Sequence, residues 1–231
     1  MNTRRFLITG GSQGIGEALV VAAREAGDEV VFTGRNEELI AQVSAETGAY
    51  GLRADVSVVE DNARTVAECQ ERMGGIDVLV NNAGYGYFGQ IGDIDLERMK
   101  SQFDTNVFGL VDLTNRVVPQ MKERQRGDIV NIASTSGIKG HAGGTSYSAS
   151  KWAVRGISQC WQAELRPHDI RVICVCPSEV QTAWGGKVGR NNPNKLYASD
   201  IADAILGALS AERRALWPEL AVFATNPWRE G

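Results

Sequence analysis

Short apolar, β-rich runs alternate with segments that carry apolar residues at helical spacing, and this alternation restricts the fold more than any other feature of the chain. Phe6-Leu7-Ile8-Thr9 reads as a first strand. Residues 14–26 follow, with Ile15, Ala18, Leu19, Ala22 and Ala23 at helical spacing. The same reading predicts strands at 29–33, 50–54, 77–80, 128–132, 171–176 and 221–223. Helices are predicted at 37–46, 58–73, 95–123, 147–166 and 199–210, the second of these stopping at Gly74-Gly75. A strand that returns through a helix re-enters the sheet in the same direction, and a parallel sheet must be covered on both faces. The expectation is an α/β fold: a Rossmann-type, doubly wound parallel sheet of about seven strands with helices on both faces, forming one domain over residues 1–231. In such sheets ligands bind beyond the carboxyl ends of the strands.

Composition removes several classes of function. The chain is 43% hydrophobic and 23% charged, which excludes disorder as its main description. A net charge of −4 offers no electrostatic footprint for nucleic acid. No apolar run is long enough to span a membrane. The run Phe6-Leu7-Ile8 is too short for a secretory signal, so a cytoplasmic location is expected. Cys69, Cys160, Cys174 and Cys176 form no CxxC pair, and with two histidines they make no standard zinc site. All four are expected as reduced thiols in or near the core. Glycine is the outlier, with 26 residues against 6 prolines, a balance that suits tight turns and close backbone approaches.

Thr9-Gly10-Gly11-Ser12-Gln13-Gly14-Ile15-Gly16 joins the first strand to the first helix. Glycines let backbone N–H groups approach a ligand, and the helix N-terminus adds partial positive charge where a pyrophosphate would sit. The spacing is TGxxxGxG. With no Lys-Ser/Thr after it, it is not a Walker loop. The second strand ends in Thr33-Gly34-Arg35-Asn36, without the acidic tip that would bind the ribose 2′-OH of NAD. A guanidinium suits a 2′-phosphate, so NADP(H) is the expected cofactor and NAD(H) the alternative. The bland readings are a glycine turn without ligand and a solvated loop charge at Arg35.

Tyr147-Ser148-Ala149-Ser150-Lys151 sets a Tyr and a Lys one helical turn apart on one face. A nearby ammonium favours the phenolate, so Tyr147 is expected to have a lowered pKa and to exchange a proton with a carbonyl oxygen. A lone YxxxK is more often a surface pair, but Ser134 closes the fifth strand at the ligand-binding edge and can polarise the same carbonyl. Asn106 lies inside the long helix, where Asn is a mediocre helix former. Its functional reading is a local distortion that holds a water near Lys151.

These residues together resemble the classical short-chain dehydrogenases/reductases over nearly the whole chain. The likeness runs through the glycine motif at 9–16, Asp55-Val56, Asn81-Asn82-Ala83-Gly84, Asn106, Ser134, Tyr147, Lys151 and Pro177 through Thr182. The resemblance implies that Gly10, Ser12, Gln13, Gly14, Ile15 and Gly16 cradle the dinucleotide. It implies that Asp55 binds the adenine amine with the Val56 backbone beside it, and that Asn82, Ala83 and Gly84 pack against the adenosine side. Lys151 would hold the nicotinamide ribose, Asn106 would anchor the water of a proton relay, and Pro177, Val180 and Thr182 would flank the nicotinamide. Two departures stand out: the usual Pro-Gly is Pro177-Ser178, and position 13, often basic in NADP-preferring members, is Gln13.

The substrate end is less determined. Tyr85, His141 and Trp184 are its candidate residues, in loops at 85–93, 135–146 and 183–198. The expected reaction is NADPH-dependent reduction of a ketone to a secondary alcohol, with a small-molecule carbonyl or a 3-oxoacyl thioester as substrate. The alternatives are an alcohol, sugar or steroid dehydrogenase working oxidatively, and a dinucleotide-sensing protein without turnover. The resemblance also implies a homotetramer or homodimer, with Trp152 and Trp161 available for contact.

Overall fold

The structure is a computed structural model that describes residues 3–182 and 192–227. Trp184, Lys187, Arg190 and Trp228 lie outside the described residues. In chain order the first half comprises β1 (Arg5–Ile8), α1 (Gly14–Glu25), β2 (Glu29–Gly34), α2 (Glu37–Thr47), β3 (Tyr50–Arg53), α3 (Val59–Met73) and β4 (Val78–Asn81). There follow α4 (Leu96–Phe103), a π-turn (Asp104–Gly109), α5 (Leu110–Glu123), β5 (Gly127–Ile132), α6 (Thr145–Leu165) and β6 (Ile170–Pro177). The last elements are β7 (Val180–Gln181), β8 (Leu196–Tyr197), α7 (Ala198–Ser210) and β9 (Glu219–Val222).

Seven strands form one parallel sheet in the order β3-β2-β1-β4-β5-β6-β9, and β7 pairs with β8 apart from it. Side chains alternate across a strand, so each strand feeds both faces. Phe6, Ile8, Phe32, Val80, Val130 and Val175 pack on one face against Leu19 and Val20 of α1 and Ile201 and Ile205 of α7. Leu7, Val31, Leu79, Ile129 and Val172 pack on the other against Leu113, Val117 and Met121 of α5 and Leu165 of α6. This is the doubly wound sheet that the alternation of runs predicts.

After β3 the chain crosses back to lay β4 beside β1, so the strand order reverses between these two central strands. A crevice opens at such a switch point, and the loops after β1 and β4 border it. The long helix predicted for 95–123 is interrupted by the π-turn at 104–109, where the sequence led us to expect a distortion around Asn106. Three thiols are buried, but Cys160 is exposed on α6, which corrects its assignment to the core. At the start of α7 Asp200 accepts a 2.7 Å hydrogen bond from the Tyr197 N–H. Among the described residues no helix is long and apolar enough to cross a membrane.

Candidate active site

The carboxyl ends of the strands surround a cleft of about 690 Å³. Its floor is the glycine turn. Gly10 and Gly14 hold φ values of +64° and +61°, which favour glycine. Asn82 ties the turn to the loop after β4, its Nδ2 donating to Thr9 O at 2.9 Å and Gly10 O at 3.1 Å. Thr9 Oγ1 in turn accepts from the N–H groups of Asn82 and Ala83, each at 3.0 Å. Gly16 lies behind the cleft wall, where a Cβ would stand 2.3 Å from Gly10 O and 2.5 Å from Asn82 Nδ2. Gln13 at the N-cap of α1 makes no side-chain cap, while the Glu17 carboxyl hydrogen-bonds the Gly14 backbone; the helix N-terminus faces the cleft and favours a ligand anion. A glycine cradle at a helix N-terminus, in a cleft of this size, fits a dinucleotide pyrophosphate.

Ser12, Gln13, Gly14, Ile15, Arg35, Asp55, Val56, Ala83 and Gly84 line the same cleft. At one end of it Arg35 reaches from the end of β2 toward Asp55, with Nη1 3.7 Å from a carboxylate oxygen and 69% of the Arg35 side chain exposed. Asp55 accepts from Ser57 N at 3.0 Å and Ser57 Oγ at 2.7 Å. Burial pushes this carboxyl up, but the Ser57 hydrogen bonds and the Arg35 charge outweigh it and hold the group below its ordinary value. Asp55 is therefore ionised near neutrality, an acceptor for an amine. Arg35 stands above it with donors to spare.

At the other end α6 presents Tyr147 and Lys151 one turn apart, and β5 delivers Ser134 beside them. The Tyr147 and Ser134 hydroxyls hydrogen-bond. Burial pushes the Tyr147 phenol up, against a smaller lowering by Ser134, which corrects the expected lowering by Lys151. The reason is geometric. Lys151 Nζ lies 5.8 Å from the Tyr147 ring centre and donates instead to Ile132 O at 2.8 Å. Desolvation lowers the Lys151 ammonium to about 8. Tyr147 thus enters as a protonated phenol, a proton donor.

Asn106 is buried and does not line the cleft. Its Oδ1 accepts from Tyr85 N at 3.0 Å, and its Nδ2 donates to Tyr85 O at 3.0 Å and Ser150 Oγ at 3.1 Å. The side-chain amide thus ties the loop after β4 to the π-turn and to α6. A Cβ on Gly84 would stand 3.0 Å from Asn106 Oδ1 and 3.6 Å from Lys151 Nζ, so glycine there lets the three elements close together.

Pro177, Val180 and Thr182 line the far wall, and Thr182 Cγ2 approaches the α1 cradle at Gly14. Tyr85 and His141 both line the same cleft. Phe88, Ser136 and Glu179 line it too, without having been singled out from the sequence. Phe88 sat in view within the aromatic run Tyr85-Gly86-Tyr87-Phe88; Ser136 and Glu179 carried no spacing signal. Among the described residues no group of three or more His, Cys, Asp or Glu could hold a metal.

A Rossmann-type sheet with a glycine cradle at its switch point and a Ser-Tyr-Lys cluster on the same edge defines a nicotinamide-dinucleotide oxidoreductase. The chain belongs to the short chain dehydrogenase family, whose profile matches residues 4–193. It is 32% identical over 219 residues to an uncharacterized oxidoreductase of Staphylococcus aureus strain USA300, covering 94% of this chain and 95% of that one. A second uncharacterized oxidoreductase, from Staphylococcus saprophyticus, is 35% identical over 209 residues, covering 88% and 89%. Among solved structures, a serine dehydrogenase complexed with NADP+ superposes with a TM-score of 0.91 at 29% identity, covering 98% of this chain and 97% of that one. An alcohol dehydrogenase from the archaeon Thermococcus sibiricus, complexed with 5-hydroxy-NADP, superposes at 0.89 and 26% identity over 100% of both chains.

Proposed function

We propose that this protein reduces a ketone to a secondary alcohol with NADPH, Tyr147 supplying the proton. The observation that carries this reading is the buried Tyr147 phenol hydrogen-bonded to Ser134 in a cleft that continues into the glycine cradle. The bound nicotinamide supplies the hydride. Ser134 donates a hydrogen bond to the carbonyl oxygen and stabilises the negative charge that grows there. Tyr147 delivers its proton to that oxygen; an alkoxide is far more basic than a phenolate, so the transfer runs downhill even though burial raises the phenol. Lys151, anchored on Ile132 O, stands over the cleft floor where the nicotinamide ribose would lie. Asn106 holds the loop that closes the site. Run oxidatively, the same groups serve an alcohol, and the serine and alcohol dehydrogenases that superpose on this chain carry names of that direction. Small carbonyls and 3-oxoacyl thioesters are the substrates to try first. An intracellular, cytoplasmic homo-oligomer remains part of this reading.

Arg35 supports NADP(H) over NAD(H), because its exposed guanidinium can reach a 2′-phosphate while Asp55 holds its other side. Replacing Arg35 with Asp should weaken NADPH binding at least about tenfold and leave NADH binding within about twofold. An unchanged ratio of the two dissociation constants rejects Arg35 as the selector. Turnover is tested with Tyr147→Phe, which should lose about 10²–10⁴-fold in kcat while binding NADPH normally. Activity within tenfold of the parent protein would reject Tyr147 as the acid.

A further inference from the structure

Taking the carbonyl-reducing reading of this cleft as its basis, we propose that His141 and Ser136 form a hydroxyl-recognition subsite. It would select substrates with a hydroxyl next to the reacting carbon: hydroxyketones in reduction and the matching vicinal diols in oxidation.

The argument starts from the tautomer. His141 Nδ1 lies 3.1 Å from Ala142 O. A carbonyl only accepts, so Nδ1 carries the hydrogen, and the neutral ring offers a lone pair at Nε2. Ser136 Oγ lies 3.3 Å from that Nε2, longer than hydroxyl hydrogen bonds usually are. The pair therefore offers one acceptor, Nε2, and one donor, the Ser136 O–H, close together and weakly satisfied by each other. A hydroxyl both donates and accepts and matches them. A second ketone or a carboxylate only accepts: it can take the Ser136 O–H but leaves the Nε2 lone pair without a donor.

The placement is built into the backbone. A Cβ on Gly144 would stand 2.5–2.8 Å from three atoms of the His141 ring, so glycine there is what seats the imidazole. Gly89 N donates to Gly143 O at 2.9 Å, and a Gly89–Gly144 bridge joins the loop after β4 to the loop before α6. Phe88 on the first loop then has its ring 5.4 Å from Tyr147 and 6.2 Å from His141. A substrate lying along Phe88 with its reacting oxygen at Tyr147 directs its neighbouring substituent toward His141. Ser136 N also donates to Ser134 Oγ at 3.1 Å, so the pair is registered on the hydroxyl that would polarise the carbonyl.

The test compares 1-hydroxy-2-butanone, 2,3-pentanedione, acetoacetate and 2-pentanone at one fixed pH. Both turnover with NADPH and binding to the NADP(H) complex of Tyr147→Phe are measured, the second without need of catalysis. The hydroxyketone should show a KM and a Kd about tenfold below those of 2-pentanone, the diketone and the keto acid. His141→Phe and Ser136→Ala should each raise its KM about tenfold while kcat/KM for 2-pentanone and the Kd for NADPH stay within about twofold. Equal binding of all four compounds overturns the proposal. So does a parallel loss on every ketone in both variants, which would make the pair a loop brace. Preferential binding of the hydroxyketone without any turnover counts against the hydride reading and supports the subsite.

Discussion

Lys151 carries its ammonium where water scarcely reaches, and the consequence is measurable without any substrate. Desolvation lowers its pKa from 10.5 to about 8. Between these values the unfolded chain binds a proton that the folded protein has released, so stability rises with pH across that window and is lower below it. A shift of this size corresponds to about 3 kcal/mol. Urea unfolding of the parent protein should therefore gain about 3 kcal/mol more than that of Lys151→Met between about pH 8 and pH 10.5. The variant also leaves Ile132 O without its donor, a cost of about 1–3 kcal/mol that offsets the relief of the buried charge near neutrality. Parallel pH profiles for the two proteins would mean that the ammonium is as well solvated folded as unfolded. The same burial explains why Tyr147 cannot be understood from the YxxxK spacing alone. Spacing fixes which face the two side chains share, but the dielectric around the phenol depends on Phe88 and the loop packed over it, which the local pattern does not contain.

The π-turn between α4 and α5 shows at the scale of an element what the sequence could and could not tell. An Asn inside an apolar helical pattern signalled a distortion, and the helix is distorted there. The partners of Asn106 arrive from 21 and 44 residues away, so no local pattern could assign its amide to Tyr85 and Ser150. The strands of the main sheet were legible because short continuous apolar runs report burial on both faces. The two-residue strands β7 and β8 were not, since two residues carry no period. Gly109, at the end of the π-turn, makes the closest approach. A Cβ there would stand 2.2 Å from Val56 O and 2.7 Å from its carbonyl carbon, backbone atoms that cannot swing aside. Gly109→Ala should destabilise the protein by about 2–4 kcal/mol. It should also weaken NADPH binding, because Val56 adjoins Asp55 at the adenosine end. Gly207→Ala in α7, with nothing within 4 Å, should instead stabilise by about 0.5–1 kcal/mol. Denaturant titration and NADPH binding of the two variants separate a packing glycine from a merely helical one. Equal effects would place no close contact at position 109.

Across the whole molecule the sheet divides stability and chemistry between its two edges, and β5 spans both. Its carboxyl end leads to Ser134, whereas Asp128 near its amino end is the hub of an ion network about 20 Å away along the strand. Arg171 Nε donates to Asp128 Oδ1 at 2.6 Å, and Arg213 Nη1 donates to the two carboxylate oxygens at 2.8 and 2.9 Å. Arg171 sits opposite Asp128 in the β5–β6 register and also donates to Leu209 O and Ala211 O, each at 3.1 Å. The network thus fastens the end of α7 to the central sheet. Only 11% of the Asp128 side chain and 6% of that of Arg171 are exposed, so water can do little to replace a lost partner. Asp128→Ala leaves Arg171 without its carboxylate and Arg213 with Asp169 alone, 3.6 Å away, and a broken buried pair costs about 3–5 kcal/mol. For a chain of this length that lowers Tm by roughly 10 °C. Because the loss falls at the edge opposite the cleft, the folded variant should keep kcat/KM within about twofold at a temperature well below its transition. A drop in kcat/KM matching the drop in stability would show that the amino edge sets the position of Ser134 through β5. A stability change below about 1 kcal/mol would show the network to be screened like an ordinary surface pair.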